Sequence, residues 1–176
     1  MKRTLSVLAF ASMALFGTFG VSTLASAQSP SSVPVILSQP KDWKVDMSDT
    51  SDRRIIAYVD PTNDNRIEIL ARNIVRDAHA DTLFEAFHNQ LTLSNFSIVD
   101  PSRERSFDLS NAQRRTGKWA EYSFGASEVP INIVTFSFTV QNTAFIIVGY
   151  FAAANRAVGI DALEAMIRNM LDKPEE

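Results

Sequence analysis

The sequence has 176 residues, no cysteine and a formal net charge of −3, from 20 acidic and 17 basic side chains. Without cysteine the chain has no disulfide, no thiolate metal site and no cysteine for lipid attachment. The acidic balance disfavours nucleic acid or anionic lipid as the main partner.

The first residues follow the pattern of a secretory signal peptide. Lys2 and Arg3 precede an uncharged run, and Ala25-Ser26-Ala27 is a small-residue cleavage site. We expect Sec-type export with cleavage near Ala27, which predicts a periplasmic or secreted protein with no stable membrane insertion after cleavage. An uncleaved anchor is the alternative, and the glycine, serine and threonine content of the run disfavours it.

The remaining chain divides into a short lead-in and one domain. Residues 28–39 are rich in serine and proline, which predicts a flexible segment, although the apolar side chains among residues 33–37 are able to anchor it on the domain. Residues 40–174 are expected to form a single α+β domain, because that length suffices to bury a core without disulfides.

The sequence pattern in the first half of this domain predicts three strands followed by a helix. The strands are alternating or β-branched runs at residues 43–47, 55–59 and 66–71. A helix is expected to begin at Ala80-Asp81-Thr82, with an apolar stripe formed by Leu83, Phe84, Phe87 and Leu91. His79 and His88 have no metal or triad motif beside them, so they are interpreted as boundary residues rather than as a base or ligand.

The loop between the second and third strands, residues 60–65, is rich in oxygen donors. It contains Asp60, Asn63, Asp64 and Asn65. A calcium site is one interpretation, but the EF-hand spacing and its distal Glu are absent. Ordinary turn chemistry is the favoured alternative, since Asn and Asp tolerate left-handed backbone conformations.

Strands return after the helix, at residues 96–99, 103–109 and 114–124, and Ala120, Tyr122 and Phe124 are expected to point inward. Four arginines flank the turn at Asn111: Arg103, Arg105, Arg114 and Arg115. They predict either an anion-binding rim or, as the favoured interpretation, a solvated hairpin whose charges protect a sheet edge. Nearby carboxylates are available to pair with them, namely Glu104, Asp108 and Glu121.

A long apolar hairpin is the centre of the predicted core. Its strands are Ile131–Val140 and Thr143–Phe151, joined near Gln141-Asn142. The register puts Phe136 and Phe138 on one face with Phe145, Ile147 and Phe151 of the second strand. The second strand is apolar on both faces and is therefore expected to be central. The opposite face, with Thr135, Ser137 and Thr139, is expected to be less deeply covered.

A C-terminal helix is expected after Ala152-Ala153-Ala154-Asn155, with an apolar stripe from Ile160 to Leu171 and its end at Pro174. No glycine-rich phosphate loop, nucleophile elbow or internal repeat occurs in the sequence. No catalytic, cofactor-binding or metal residue is therefore assigned, and the chain is predicted not to be an enzyme.

The order of these elements resembles the PsbP-like superfamily, which includes periplasmic DcrB-like proteins and a Ran-binding import factor. The residues that carry the resemblance are Pro40-Lys41-Asp42-Trp43, the helix at Phe84–Leu91, the hairpin Val134–Tyr150 and the closing segment Ala162–Leu171. Asp42 stands where that family often has Gly before the Trp. The resemblance implies an antiparallel sheet of about six or seven strands with helices packed on both faces, an α/β/α sandwich, and a non-catalytic accessory role.

The leading functional hypothesis is an exported, non-catalytic accessory protein that binds another envelope or secreted protein. Its predicted partner-binding surface is Tyr58, Arg114, Arg115 and Trp119, because Arg, Trp and Tyr are the usual interface anchors. The alternative is a periplasmic small-molecule or metal-ion binding protein with a pocket between sheet and helix, including the loop at residues 60–65. A hydrolase would need a buried carboxylate or histidine with a perturbed pKa in a cleft.

Overall fold

The computed structural model describes residues 34–46, 54–73, 80–124 and 130–173, so the predicted signal peptide lies outside the described residues. The elements in chain order are β1 (Val35–Ile36), β2 (Lys44–Asp46), β3 (Arg54–Val59), β4 (Arg66–Asn73), α1 (Ala80–Leu93), β5 (Ser97–Asp108), β6 (Arg114–Phe124), β7 (Ile131–Val140), β8 (Thr143–Ala152), α2 (Arg156–Arg168) and β9 (Leu171–Asp172). A single 3-10 turn, Ala153–Asn155, precedes α2. No helix within these ranges is long and apolar enough to cross a membrane.

Seven of the strands form one antiparallel sheet in the order β2-β3-β4-β8-β7-β6-β5, and β1 pairs with β9 in a separate two-stranded ribbon. The predicted α+β fold with an antiparallel sheet of about seven strands is confirmed. β8 lies in the middle of the sheet between β4 and β7, as its apolar character on both faces predicts.

The central hairpin has the predicted strands and register. Phe136 lies opposite Ile147 and Phe138 opposite Phe145 across β7 and β8. Gln141 has a φ of 50°, the left-handed conformation that a tight two-residue turn requires. The turn therefore forms without glycine, at a residue that does not favour this conformation.

Two hydrophobic clusters make up the core, and each uses alternate residues of β7 and β8. One cluster joins α2 to one set of strand residues, including Leu163, Met166, Ile167, Val134, Phe136, Phe138, Phe145, Ile147 and Phe151. The other joins α1 to the other set, including Phe84, Phe87, Leu91, Ile131, Ile133, Ile146, Val148 and Tyr150. Each helix thus packs with its own set of strand side chains.

The expectation of a less covered face on β7 is wrong for two of its three residues. Thr135 and Ser137 are 0% and 3% exposed, and only Thr139 is exposed. Phe84, Phe87 and Leu91 of α1 pack in the same cluster as Ile133 and Ile146, which lie on this face, and so cover it. The Thr135 hydroxyl donates a hydrogen bond to the Ala120 carbonyl at 3.4 Å.

Two predicted element boundaries are also wrong. The strands predicted at residues 96–99 and 103–109 are one strand, β5 (Ser97–Asp108), with register shifts between Ile98 and Asp100 and between Asp100 and Arg103. β5 is an edge strand, and an edge tolerates both Pro101 and such irregularities because one side of the strand makes no sheet hydrogen bonds. Pro101 interrupts the strand pattern of the sequence, but the strand itself continues through it.

The C-terminal helix ends at Arg168, six residues before the predicted end at Pro174. Leu171 pairs with Ile36 instead of continuing the helix, which places β1 within the segment expected to be a flexible lead-in. Val35 is 4% exposed and Leu37 packs against the same cluster, so these two apolar residues anchor the segment, as the alternative interpretation allowed.

Candidate functional site

The four residues predicted as a partner-binding surface do not form one exposed patch. Trp119, Tyr58 and Arg115 are 0%, 2% and 8% exposed, and Arg114 alone is accessible. Aromatic and arginine side chains are common in interfaces but equally serve a core, and sequence does not separate the two uses. A contact role for Arg114 remains a prediction.

Trp119 is buried among aromatic side chains of the two strands that flank β6. Its ring lies 5.9 Å from that of Phe107 on β5 and 6.5 Å from that of Phe136 on β7, measured between ring centres. The indole N–H donates a hydrogen bond to Glu121 Oε1 at 3.1 Å. The expected inward residues Ala120 and Tyr122 are buried on the opposite face.

Each of the four arginines around the β5–β6 turn contacts a carboxylate. Arg103 lies 2.8 Å from Asp100, Arg105 lies 2.5 Å from Glu164, Arg114 lies 3.2 Å from Asp108, and Arg115 contacts Asp172. Only Asp108 is among the three partners expected from sequence, and Glu121 pairs with Arg156 instead. Glu164 and Asp172 come from α2 and β9, which local sequence cannot associate with β5 and β6.

Arg105 and Arg168 share a single carboxylate. Arg168 lies 3.2 Å from the second oxygen of Glu164, whose first oxygen accepts from Arg105. Both guanidinium groups stack over the Phe107 ring, at 4.7 Å and 5.3 Å from its centre. Two cations against one carboxylate leave a surplus positive charge at this position.

We call Arg103, Arg105 and Arg168, with Asp100 and Glu164, the arginine cluster. Arg103 and Arg105 are two residues apart on β5 and so share one face of the strand. The side chains of Arg103 and Arg168 are 62% and 49% exposed, whereas those of Asp100 and Glu164 are 25% and 21% exposed. The accessible part of the cluster is therefore positively charged.

β5 is the long edge of the sheet, and within the described part of the chain it pairs with β6 alone. The Leu109 N–H donates to the Gln113 carbonyl at 2.8 Å, which sets which residues of the hairpin form hydrogen-bonded pairs. The alternation of an antiparallel ladder then turns the N–H and C=O groups of Glu104, Ser106 and Asp108 away from β6, towards the free edge.

Three exposed apolar side chains lie where α1 ends and β5 begins. Leu93 is 84%, Ile98 48% and Val99 56% exposed. Single exposed apolar residues are common on protein surfaces, but three close together in the chain beside a free strand edge are typical of a contact surface.

An ion-pair network links β2 to β4. Arg66 lies 2.6 Å from both Asp46 and Glu68, and the Glu68 side chain is 0% exposed. Burial acts to lower the pKa of Arg66, but the charge of Glu68 and hydrogen bonds to both carboxylates outweigh it, so the pKa is raised. The guanidinium therefore stays charged and holds these two strands together.

His88 is a contact between helix and sheet, in line with its interpretation as a boundary residue. Its Nδ1 lies 2.7 Å from the Tyr122 hydroxyl, and its ring stacks on Phe84 with centres 6.4 Å apart. Burial raises the pKa of Tyr122 to about 12, so its hydroxyl stays protonated near neutral pH. His79 lies outside the described residues.

The loop at residues 60–65 is a side-chain-stabilised turn. Asp60 Oδ1 accepts the N–H groups of Thr62 at 2.9 Å and Asn63 at 3.2 Å, and Oδ2 accepts the Asn63 amide at 2.7 Å. The described ranges contain no group of three or more His, Cys, Asp or Glu residues arranged to hold a metal ion. Both carboxylate oxygens of Asp60 thus stabilise the turn itself.

No protein-family model matches the sequence, and no curated protein matches it in sequence. Several solved structures share its fold, and three of them illustrate the likeness. LpqN, described as involved in cell envelope biogenesis of Mycobacterium tuberculosis, is 12% identical with a TM-score of 0.52, over 80% of this chain and 83% of LpqN. Cyanobacterial PsbP (CyanoP) from Synechocystis is 10% identical with a TM-score of 0.51, over 86% and 98% of the two chains.

The third is a protein from Bacteroides thetaiotaomicron, 14% identical with a TM-score of 0.50, over 81% of this chain and 46% of the other. The chain thus spans about half the length of that protein. At these identities the likeness concerns the fold alone, and the predicted PsbP-like fold is confirmed at that level.

Proposed function

We propose that this chain is an exported, non-catalytic accessory protein that binds another envelope protein through the free edge of β5. The observation that carries the proposal is a twelve-residue edge strand beside three exposed apolar side chains. A free strand edge is a template for pairing, and a long one left open is a liability unless it is used.

The similar structures support an envelope role but do not establish it, because a shared fold does not imply a shared function. LpqN is described by its role in cell envelope biogenesis. The signal-peptide pattern of residues 1–27 would place this chain in the same compartment.

Export is tested by N-terminal sequencing of the protein recovered from the periplasm or culture medium. The expected mature chain begins at Gln28. A protein that keeps Met1 and fractionates with the cytoplasm would contradict export.

Binding at the edge is tested by site-specific photo-crosslinking in living cells. A photoreactive amino acid at Val99 is expected to capture one envelope protein reproducibly. The matched control is Val158 in the first turn of α2, which is similarly exposed at 50% against 56% for Val99 but belongs neither to β5 nor to the arginine cluster. Equal capture from both positions, or none from Val99, would remove the proposed surface.

A further inference from the structure

We propose that the partner contributes an acidic, extended segment that adds to the sheet as a strand along residues 103–108 of β5, with its carboxylates on the arginine cluster. This inference rests on the proposed function and gives the partner's chemistry. It follows from the free backbone groups of β5 and the charges beside them.

The backbone determines where a strand is able to add. Glu104, Ser106 and Asp108 direct their N–H and C=O groups to the free edge, over about 13 Å at roughly 3.3 Å per residue. Pro101 and two register shifts interrupt the ladder upstream of Arg103. The regular part of the edge therefore accommodates a segment of about six residues.

The side chains determine which segment fits. Arg103 and Arg105 project from one face of β5 and Arg168 from α2 joins Arg105 at Glu164, so this side of the added strand meets mainly positive charge. A strand presents every second side chain to one face. Carboxylates at alternate positions of the segment therefore meet the arginine cluster, and the guanidinium fork favours them.

The charge of the whole chain selects a protein segment over a long polyanion. The formal net charge is −3, so a nucleic acid would be repelled by most of the molecule. A short acidic segment experiences mainly the local field, because charges beyond about 8–10 Å are screened at physiological salt.

The test measures binding of fluorescent peptides to the mature chain, residues 28–176, by anisotropy. The probes are an eight-residue peptide that alternates Glu with Thr, one that alternates Lys with Thr, and one with the same Glu and Thr content in two blocks. We expect the alternating Glu peptide to bind, with a dissociation constant below about 1 mM, and to bind more tightly than the other two. No binding of the alternating Glu peptide, or equal binding of the block peptide, overturns the proposal.

Charge neutralisation tests the arginine cluster. Arg103→Gln and Arg168→Gln are each expected to lower the affinity for the alternating Glu peptide about 2–5-fold, the range for one exposed ionic contact. Arg156→Gln is the matched control, because Arg156 lies on the same helix as Arg168, its side chain is 41% exposed against 49% for Arg168, and it too has one carboxylate partner, Glu121. Equal weakening by Arg156→Gln would indicate only a general charge effect and would refute the site.

Strand addition is tested at Ser106. Ser106→Pro removes an N–H that faces the free edge, so it is expected to abolish binding while the β5–β6 ladder persists. Ser106→Ala loses the same hydroxyl contact with Thr116, 2.7 Å away, but keeps the N–H, and is expected to bind normally. Thermal unfolding verifies that both variants fold.

Two further outcomes would contradict the proposal. Normal binding by folded Ser106→Pro would mean that the arginines bind an anion without strand addition. Displacement of the peptide by inorganic phosphate at about its own concentration would mean a phosphate site. Crosslinking from Val99 is a separate readout, so a partner captured there with no peptide binding overturns this inference and leaves the proposed function standing.

Discussion

Tyr122 and His88 illustrate how a buried polar side chain is accommodated in this core. The Tyr122 side chain is 0% exposed, and its hydroxyl lies 2.7 Å from His88 Nδ1. A buried hydroxyl without a partner costs on the order of 1–3 kcal/mol, so the helix brings a partner to it. The pair packs α1 on the sheet.

Tyr122→Phe is expected to change how stability depends on alkaline pH. Burial raises the pKa of Tyr122 from its ordinary value of 10 to about 12, so the unfolded chain loses this proton first. The stability that comes from the protonated Tyr122 hydroxyl is present below pH 10. Between pH 10 and about 12 it is lost, and the free energy of unfolding falls by on the order of 2–3 kcal/mol.

Urea unfolding of both proteins from pH 7 to 12 measures this effect. At pH 7 the variant is expected to be less stable by about 1 kcal/mol, through loss of one hydrogen bond. The gap should close and reverse above pH 10. Other groups that titrate there, including Tyr58, whose pKa burial also raises, are common to both proteins and cancel in the difference. Parallel pH profiles would show that the buried hydroxyl is not responsible.

At the scale of elements, the contact between α2 and the sheet depends on a glycine, Gly159, which has no side chain. A Cβ at Gly159 would overlap the ring of Phe151, and so would one at Gly149 on β8. Phe151 itself is 0% exposed in the core cluster beneath α2. The helix approaches the strand closely only because glycine stands at this position.

Gly159→Ala is therefore expected to destabilise the protein although alanine favours helix. The gain in helix propensity is about 1 kcal/mol, whereas overpacking a core costs about 1–3 kcal/mol. We expect a net loss and a lower Tm. Val158→Ala is the matched control on the same helix, because Val158 is exposed and alanine there gains propensity without overlap. A higher Tm for both variants would mean that α2 does not pack at Gly159.

At the scale of the whole molecule, the two ends of the described chain hold each other. β1 pairs with β9, the Lys173 N–H donates to the Pro34 carbonyl at 2.9 Å, and the Ser38 hydroxyl donates to the Asn169 carbonyl at 2.9 Å. This ribbon ends α2 at Arg168, because the following residues pair with β1 instead of continuing the helix. The lead-in thus belongs to the folded unit from Pro34 onward.

Removal of β1 is expected to destabilise the domain. A chain that begins at residue 38 loses the burial of Val35 and the ribbon hydrogen bonds, which together contribute about 2–4 kcal/mol. A chain that begins at residue 34 keeps both and should match one that begins at residue 28. Chemical denaturation of the three proteins measures this. Equal stability for all three would mean that the lead-in is not part of the domain.

The hairpin of β7 and β8 was predictable from sequence because its period of two specifies both the strand and the face. Phe136 and Phe138 alternate with polar residues, and a two-residue turn sets the register. Whether a face is covered was not predictable in the same way. Thr135 and Ser137 are polar yet buried, because α1 packs over that side.

In the candidate surface, too, local sequence predicted some residues and distant contacts determined the others. Arg103 and Arg105 were identified as two of four arginines whose charges protect a sheet edge, and β5 is an edge strand. Glu164 and Arg168 were missed, because they lie about sixty residues further along the chain and no local pattern relates them to β5. Trp119 was assigned to the surface on its residue type, and its burial depends on neighbours from two other strands, β5 and β7, and not on its own local sequence.

The sequence by itself determined most of the elements and the α+β class, since local periodicity and turn chemistry act over a few residues and need no distant partner. Only the tertiary structure decided which side chains are accessible and which charges meet, since burial and ion pairing depend on segments that are remote in the chain. The proposed function depends on such remote contacts, because Arg105 on the free edge of β5 shares the Glu164 carboxylate with Arg168 of the distant helix α2.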